Sequence, residues 1–220
     1  MSATRLVDLG HTIEDGMVTY KGLPAPIICD YLSHLQSREK YAPGTEFQIG
    51  KVTMTANTGT YIDSPFHRFA HGADIAALPL ESIAALDGVV IHAETAAERA
   101  IGPEAFTSTD VARKAVLVHT GWDVHWRSER YFEGHPFLTA AAAEWLRDAG
   151  AVLVGIDSLN VDDTRGGERP VHTILLAAGI PIVEHLCGLE QLPSAGFEFT
   201  ATPARVKGMG SFPVRAWARF

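Results

Sequence analysis

The chain has 220 residues, 46% of them hydrophobic and 20% charged, and a formal net charge of −8. This is an ordinary globular composition, and a chain of this length buries about 70% of its unfolded surface on folding. The acidic balance argues against nonspecific nucleic-acid binding, which needs a basic stripe, and no apolar run approaches the ~18 residues that cross a bilayer.

In chain order, residues 5–9 begin as a short strand, and residues 16–26, broken by Gly22 and Pro24, read as a loop. Over residues 46–56 the apolar alternation changes phase, with Phe47 and Ile49 first, then Val52, Met54 and Ala56. A bulge near Gly50 and Lys51 would account for that one-residue slip. Residues 89–92 and 116–119 read as buried strands. Residues 138–150 read as a helix with Thr139 as N-cap and Gly150 as terminator, followed by an apolar strand over 152–156. Pro170 favours a helix start, and that helix runs over 171–178 until Gly179, Ile180 and Pro181 stop it. A short strand covers 182–184, and residues 197–206 and 213–217 are strand-like. No repeat, heptad or low-complexity linker divides the chain, so one domain over 1–220 is expected. Strands mixed with few helices give an α/β or α+β class.

The chemistry concentrates in NTGTYIDSPFH at residues 57–67. Asp63 and His67 sit four residues apart around Ser64 and Pro65, in a segment too rich in Gly, Pro and Asn for an ordinary helix or strand interior. Downstream, His172 lies in a helical first turn and Glu184 at a strand end. These four residues can form a metal site or an acid/base site. Hydrolysis of an amide needs an activated water, a stabilised oxyanion and a proton for the leaving group. A metal supplies the first two, and a histidine supplies the third and can serve as base. Without a metal, Glu184 or Asp63 could orient His67 to activate water, with Tyr61 donating to the oxyanion.

Residues 57–67 resemble the signature H-x-G-T-H-x-D-x-P-x-H of the cyclase family, which includes bacterial kynurenine formamidases (arylformamidases), isatin hydrolase and some polyketide cyclases. The likeness extends to VDLGH at 7–11, HTGW at 119–122, GIDS at 155–158, VHTILL at 171–176 and IVEHL at 182–186, which covers nearly the whole chain. It implies a swivelling β/β/α fold with a mixed sheet, few helices and the site at the sheet edge. It also implies a hydrolase that cleaves an amide, lactam or lactone bond of a small cyclic or aromatic acid, and a homodimer or homotetramer. Carried over position by position, Asp63, His172 and Glu184 are metal ligands, Asn57 stands at a further ligand position, and His67 is the acid/base residue.

The departures carry as much information as the matches. Zinc-dependent members have histidine ligands where this chain has Asn57 and Tyr61. Zinc favours nitrogen and sulfur, and an oxygen-rich set suits manganese, magnesium or calcium better. One divalent ion, manganese or zinc, therefore stands beside two alternatives: a metal-free cyclase or dehydratase, and a non-catalytic small-molecule binder. In a purely structural reading, Asn57 bonds backbone in its turn and Tyr61 is a packed aromatic.

The expected substrate contacts are Trp122, which with Trp126 lines an aromatic cavity or packs in the core, and Arg68 with Arg165 or Arg169 as holders of a carboxylate. Asp162 and Asp163 could instead pair with those loop arginines. Among other histidines, His185 follows Glu184 and so points to the opposite strand face, while His11 is expected near the pocket. Cys29 and Cys187 form no disulfide framework. The first residues lack the apolar core of a signal peptide, which makes a cytoplasmic location the expectation.

Overall fold

The computed structural model describes residues 4–93 and 98–220. Its strands are β1 Leu6–Asp8, β2 Ile27–Leu32, β3 Ile49–Thr53, β4 Tyr61–Asp63, β5 Leu86–His92, β6 Ala100–Ile101, β7 Ala115–His119, β8 Phe137–Leu138, β9 Leu153–Ile156, β10 Ile182–Glu184, β11 Ala195–Thr200, β12 Ser211–Pro213 and β13 Trp217–Arg219. Its α-helices are α1 His34–Ser37, α2 Pro65–Arg68, α3 Ala140–Asp148 and α4 Pro170–Ala177. Nine strands form one mixed sheet in the order β1-β13-β11-β5-β7-β9-β10-β4-β12. The α/β class with a mixed sheet and few helices is thus the architecture observed.

The sheet centre follows from continuous apolar runs. β5, β7, β9 and β10 pair in parallel, and all five residues of β7 are buried, as expected for strands covered on both faces. Alternation divides them between two cores. Val116, Val118, Val154 and Ile156 pack with Leu146 of α3 and Leu175 of α4. Leu117, Val90 and Val183 pack on the other face with Leu9, Phe197 and Phe199. Thr139 caps α3 by accepting from Ala142 N at 3.1 Å, and Gly150 takes the positive φ of +84° that the chain needs just past the helix.

Several expectations need correction. Residues 197–206 are not one strand: β11 ends at Thr200, and beyond it only Pro203 makes a bridge, to Val214. Residues 213–217 hold the end of β12 and the start of β13, because the chain changes neighbours there, from β4 to β1 and β11. Asp63 and His67, by contrast, lie in no long element, at the end of the three-residue β4 and in the single turn of α2. The bulge falls on the partner strand, where Tyr31 is the extra residue opposite Ile49 and Gly50. Every residue of β3 is exposed, so its alternation records no buried face. β2 and β3 form a separate two-stranded sheet with Ile27, Tyr31 and Val52 at 58%, 73% and 54% exposure.

Close backbone packing fixes the sheet interior. A Cβ on Gly88 would lie 2.1 Å from the ring of Phe197, its partner across β5 and β11. Gly88→Ala is therefore expected to cost about 1–3 kcal/mol. The denaturant midpoint at unchanged m-value reads this, and an unaltered midpoint contradicts it.

Candidate active site

The register of three antiparallel strands builds the site. β4 lies between β10 and β12, with Glu184 opposite Tyr61 and Ser211 opposite Asp63. Residues directly opposite in an antiparallel pair face the same side, as do positions i and i+2 on one strand. Tyr61, Asp63, Glu184 and Ser211 therefore share one face, and contacts follow from that placement. The Tyr61 hydroxyl donates to Glu184 Oε2 at 2.5 Å, and the Ser211 hydroxyl donates to Asp63 Oδ1. Pro65 starts the turn of α2 that brings His67 back over Asp63, and His67 Nδ1 lies 2.8 Å from Ser211 Oγ. Ser211 also accepts from the Asn57 amide at 3.4 Å.

These bonds fix the tautomer of His67. Ser211 Oγ has one proton, which goes to Asp63, so its contact with His67 Nδ1 requires the imidazole to be the donor. Nδ1 thus carries the ring proton in the neutral histidine, and Nε2 is left with its lone pair. His67 lines a cavity of about 250 Å³ together with Tyr20, Asn57, Tyr61, His172 and Glu184.

His172 enters from the first turn of α4. Asp162, in the preceding loop, accepts from Val171 N at 2.8 Å, His172 N at 3.1 Å and His172 Nδ1 at 2.7 Å. One carboxylate thereby caps the helix and orients the imidazole. His172 Nε2 then lies 3.5 Å from Asp63 Oδ2 and 3.7 Å from Glu184 Oε1. Burial opposes a charge on His172, but Glu184, Asp162 and Asp63 outweigh it and raise its pKa to about 10. Burial is also the main reason that Glu184 is pushed up to about 7. Glu184 accepts from Val161 N at 2.8 Å on Oε1, and from Asn160 at 3.3 Å as well as Tyr61 on Oε2.

The donor set tests the fit of a cation. Asp63 Oδ2 is buried without a hydrogen-bond partner, and ligating atoms of Asp63, His67 and His172 lie within 4.8 Å of one another. The charged imidazole of His172 faces this carboxylate oxygen at 3.5 Å without closing a hydrogen bond, and a divalent cation that displaced the Nε2 proton would take over the same charge balance. Glu184 Oε1 keeps a free lone pair beside them. Neither Asn57 nor Tyr61 adds a nitrogen ligand to this set. The Asn57 amide is turned to Ser211, and burial and the charge of Glu184 hold the Tyr61 phenol well above its ordinary pKa. The Tyr61 proton is also committed to Glu184 rather than open to an oxyanion.

Two expected substrate contacts are placed elsewhere. Trp122 is outside the cavity lining, and its indole donates to Tyr131 O at 3.0 Å. Arg165 is exposed and pairs with Asp163 at 2.6 Å, a local partner that holds it away from the pocket. Arg68 and Arg169 do line the cavity. His11 stacks on Trp126 with ring centroids 4.0 Å apart, and its pKa is lowered to about 4 by burial. His185 is fully buried and contacts the Tyr131 hydroxyl at 2.8 Å. Tyr20, Asn160 and Ser211 were not anticipated. Tyr20 and Ser211 stand in segments with no motif, and Asn160 sits in the acidic loop where charge drew attention to its neighbours.

The chain matches the family described as Putative cyclase over residues 7–163 and belongs to it. It is 30% identical over 186 residues to the kynurenine formamidase of Geobacillus thermodenitrificans, covering 84% of this chain and 86% of that one. Identity to the Bacillus cereus kynurenine formamidase is 28% over 221 residues, with 100% and 99% of the two chains covered. Among solved structures, isatin hydrolase A from Labrenzia aggregata superposes with a TM-score of 0.85 at 22% identity, covering 99% of this chain and 94% of that one. A predicted metal-dependent hydrolase from Bacillus stearothermophilus gives 0.78 at 23% identity over 99% of both chains. The fold is therefore that of the cyclase family.

The His67 tautomer is directly measurable. Imidazole ¹⁵N shifts are expected to report Nδ1–H for His67 in the wild type at high pH, and a mixture of tautomers in Ser211→Ala. A wild type with Nε2–H contradicts the assignment.

Proposed function

We propose that this protein is a hydrolase of small aromatic amides, with His67 as the proton-transfer residue. The observation that carries this reading is the chain of hydrogen bonds from His67 through Ser211 to Asp63, which leaves Nε2 of a pocket-lining histidine as its acceptor. The kynurenine formamidases and isatin hydrolases among its relatives support the reaction class. The Nε2 lone pair takes a proton from the attacking water and returns it to the leaving nitrogen, the two tasks of a general base and acid at one atom. Ser211 and Asp63 hold the ring in that tautomer and stabilise the imidazolium formed on the way.

Asp63, His172 and Glu184 would hold one divalent cation, with His67 in reach and Asn57 in a supporting role through Ser211. The two carboxylates favour manganese over zinc. When bound, the ion supplies polarisation of the amide carbonyl and acidification of a water. The chain's own residues prepare the place: Asp162 fixes the His172 ring, while Tyr61, Asn160 and Val161 fix the Glu184 carboxylate.

We also propose that the chain works as one domain and self-associates into a homodimer or homotetramer. The β2–β3 sheet supports the latter, since it exposes large apolar residues that water disfavours. No helix among the described residues is long and apolar enough to cross a membrane. Two free cysteines suit a reducing cytoplasm.

His67→Ala should lower kcat for hydrolysis of formanilide, the simplest aromatic formamide, by about 10²-fold or more with an unchanged circular dichroism spectrum. Wild-type turnover in that variant refutes the role of His67. On size-exclusion chromatography with light scattering, Ile27→Asp with Val52→Asp should shift an oligomer to the mass of one chain. A monomeric wild type contradicts self-association through this sheet.

A further inference from the structure

Hydrolysis of an amide turns the carbonyl oxygen into an anion, and a fixed hydrogen-bond donor aimed at that oxygen lowers the barrier. Tyr61 does not serve, because its hydroxyl proton is held by Glu184 at 2.5 Å. Among other donors on the cavity, the Asn57 amide is turned to Ser211, Arg68 is exposed, and Arg169 Nη1 serves the carbonyls of Gly166 and Glu168. A second phenol, that of Tyr20, shares the cavity lining with His67, Asn160 and Glu184.

Tyr20 is held firmly for a loop residue. It lies in residues 16–26, whose ends meet where Gly16 N donates to Pro26 O at 2.9 Å. Its two neighbours anchor it on opposite sides. Thr19 is buried, and its hydroxyl oxygen accepts from Gly59 N at 2.9 Å. Gly59 belongs to the 57–67 segment, where it takes a φ of +68° and a Cβ would lie 2.8 Å from Ile13 Cγ1. Lys21 pairs with Glu129 at 3.0 Å and with Glu133 at 3.3 Å. Between these anchors the Tyr20 ring packs edge-on against buried His185, with centroids 6.2 Å apart. A loop without a motif is thus clamped to the motif itself, the kind of support that holds a functional group in place.

The Asn160 amide decides where the phenol can send its proton. Asn160 Oδ1 accepts from Asp162 N at 2.9 Å, and Nδ2 donates to Glu184 Oε2 at 3.3 Å. Its hydrogen bond with Tyr20 favours the ionised phenol, so the NH2 is the donor and the phenol oxygen the acceptor. The amide therefore gives one proton to Glu184 and the other to Tyr20. Tyr20 keeps its own proton, since burial and then the charge of Glu184 hold the phenol above its ordinary pKa. With Asn160 on its oxygen, the hydroxyl has that proton to offer to a ligand in the cavity.

We propose that Tyr20 is a catalytic residue, its hydroxyl donating to the carbonyl oxygen of the bound amide and strengthening that bond as the oxygen becomes an anion. The inference rests on the amide-hydrolase reading above. As the water oxygen bonds to the carbonyl carbon, the C=O electron pair moves onto the oxygen opposite Tyr20, and His67 takes the water's proton. When the C–N bond breaks, that pair re-forms the carbonyl and His67 gives the proton to nitrogen. Tyr20 holds its own proton throughout.

Tyr20→Phe tests this by removing one oxygen and keeping the ring. Its kcat for formanilide should fall roughly 10²-fold with KM little changed, at an unaltered thermal melt. Wild-type kcat, or a change in KM alone, overturns the inference and leaves the hydrolase reading intact. Binding gives a readout without turnover. The carbonyl stretch of ¹³C-labelled formanilide, read by infrared difference on His67→Ala, should move to higher wavenumber when Tyr20→Phe is added. Replacing Tyr20 with 3-fluorotyrosine, a stronger donor of nearly the same shape, should move it lower, and this comparison decides if the Phe variant melts early. A stretch unmoved by both changes, or no bound formanilide, overturns the inference. If the wild type leaves formanilide intact yet the stretch responds as described, the hydrolase reading fails while the Tyr20 donor stands.

Discussion

The placement of β4 between β10 and β12 is the constraint on which the site depends. Side chains of an antiparallel pair meet only if the register is right, and a one-residue slip would turn every one of them to the other face. Here the register sets Tyr61 against Glu184 and Asp63 against Ser211. Everything else is brought to that row: His67 by the turn after Pro65, and His172 by the start of α4. Gly210, just before β12, allows the closest approach, since a Cβ there would lie 2.6 Å from the Cα of His67. The relay from histidine through serine to aspartate exists because backbone packs against backbone at that point.

Charge balance is the second organising force. Asp63, Asp162 and Glu184 are all buried around one imidazole. Buried carboxylates without compensation are costly, and here each has donors or a cation-accepting position. Asp162 is satisfied by the helix start, and Glu184 by Tyr61, Asn160 and Val161. Asp63 alone retains an oxygen with no donor. Tyr61 and Asn57 change the family's pattern in a physically coherent way. Where an imidazole would offer a lone pair to a metal, the phenol offers a proton to Glu184 and the amide offers one to Ser211. Two imidazoles are exchanged for two groups that donate hydrogen bonds to Glu184 and Ser211.

Much of this was legible in the sequence because it is local. The apolar runs of β5, β7 and β9, the Thr139 cap and the stop at Gly179 depend on neighbours within a few residues. So does the Asp63 to His67 spacing. What escaped was set by long-range pairing. Ser211 is 144 positions from His67 in a stretch without a motif, and only the β4–β12 register reveals its part. Tyr20 reaches the pocket from a loop that reads as plain irregular chain. The exposed β2–β3 sheet misplaced the bulge because no buried face anchors its alternation. Trp122 and Arg165 looked like ligand contacts by residue type, yet each found a partner nearby in sequence: Tyr131 for the indole and Asp163 for the guanidinium.

The central proposal is that Asp63, His172 and Glu184 would hold a single cation, with Tyr61 and Asn57 outside the ligand set. Anomalous scattering from crystals soaked in manganese tests it most directly. The account predicts one peak per chain within bonding distance of those three side chains, with His67 Nδ1 still on Ser211. A peak bound by Asn57 and Tyr61, two peaks, or none at saturating manganese would contradict it.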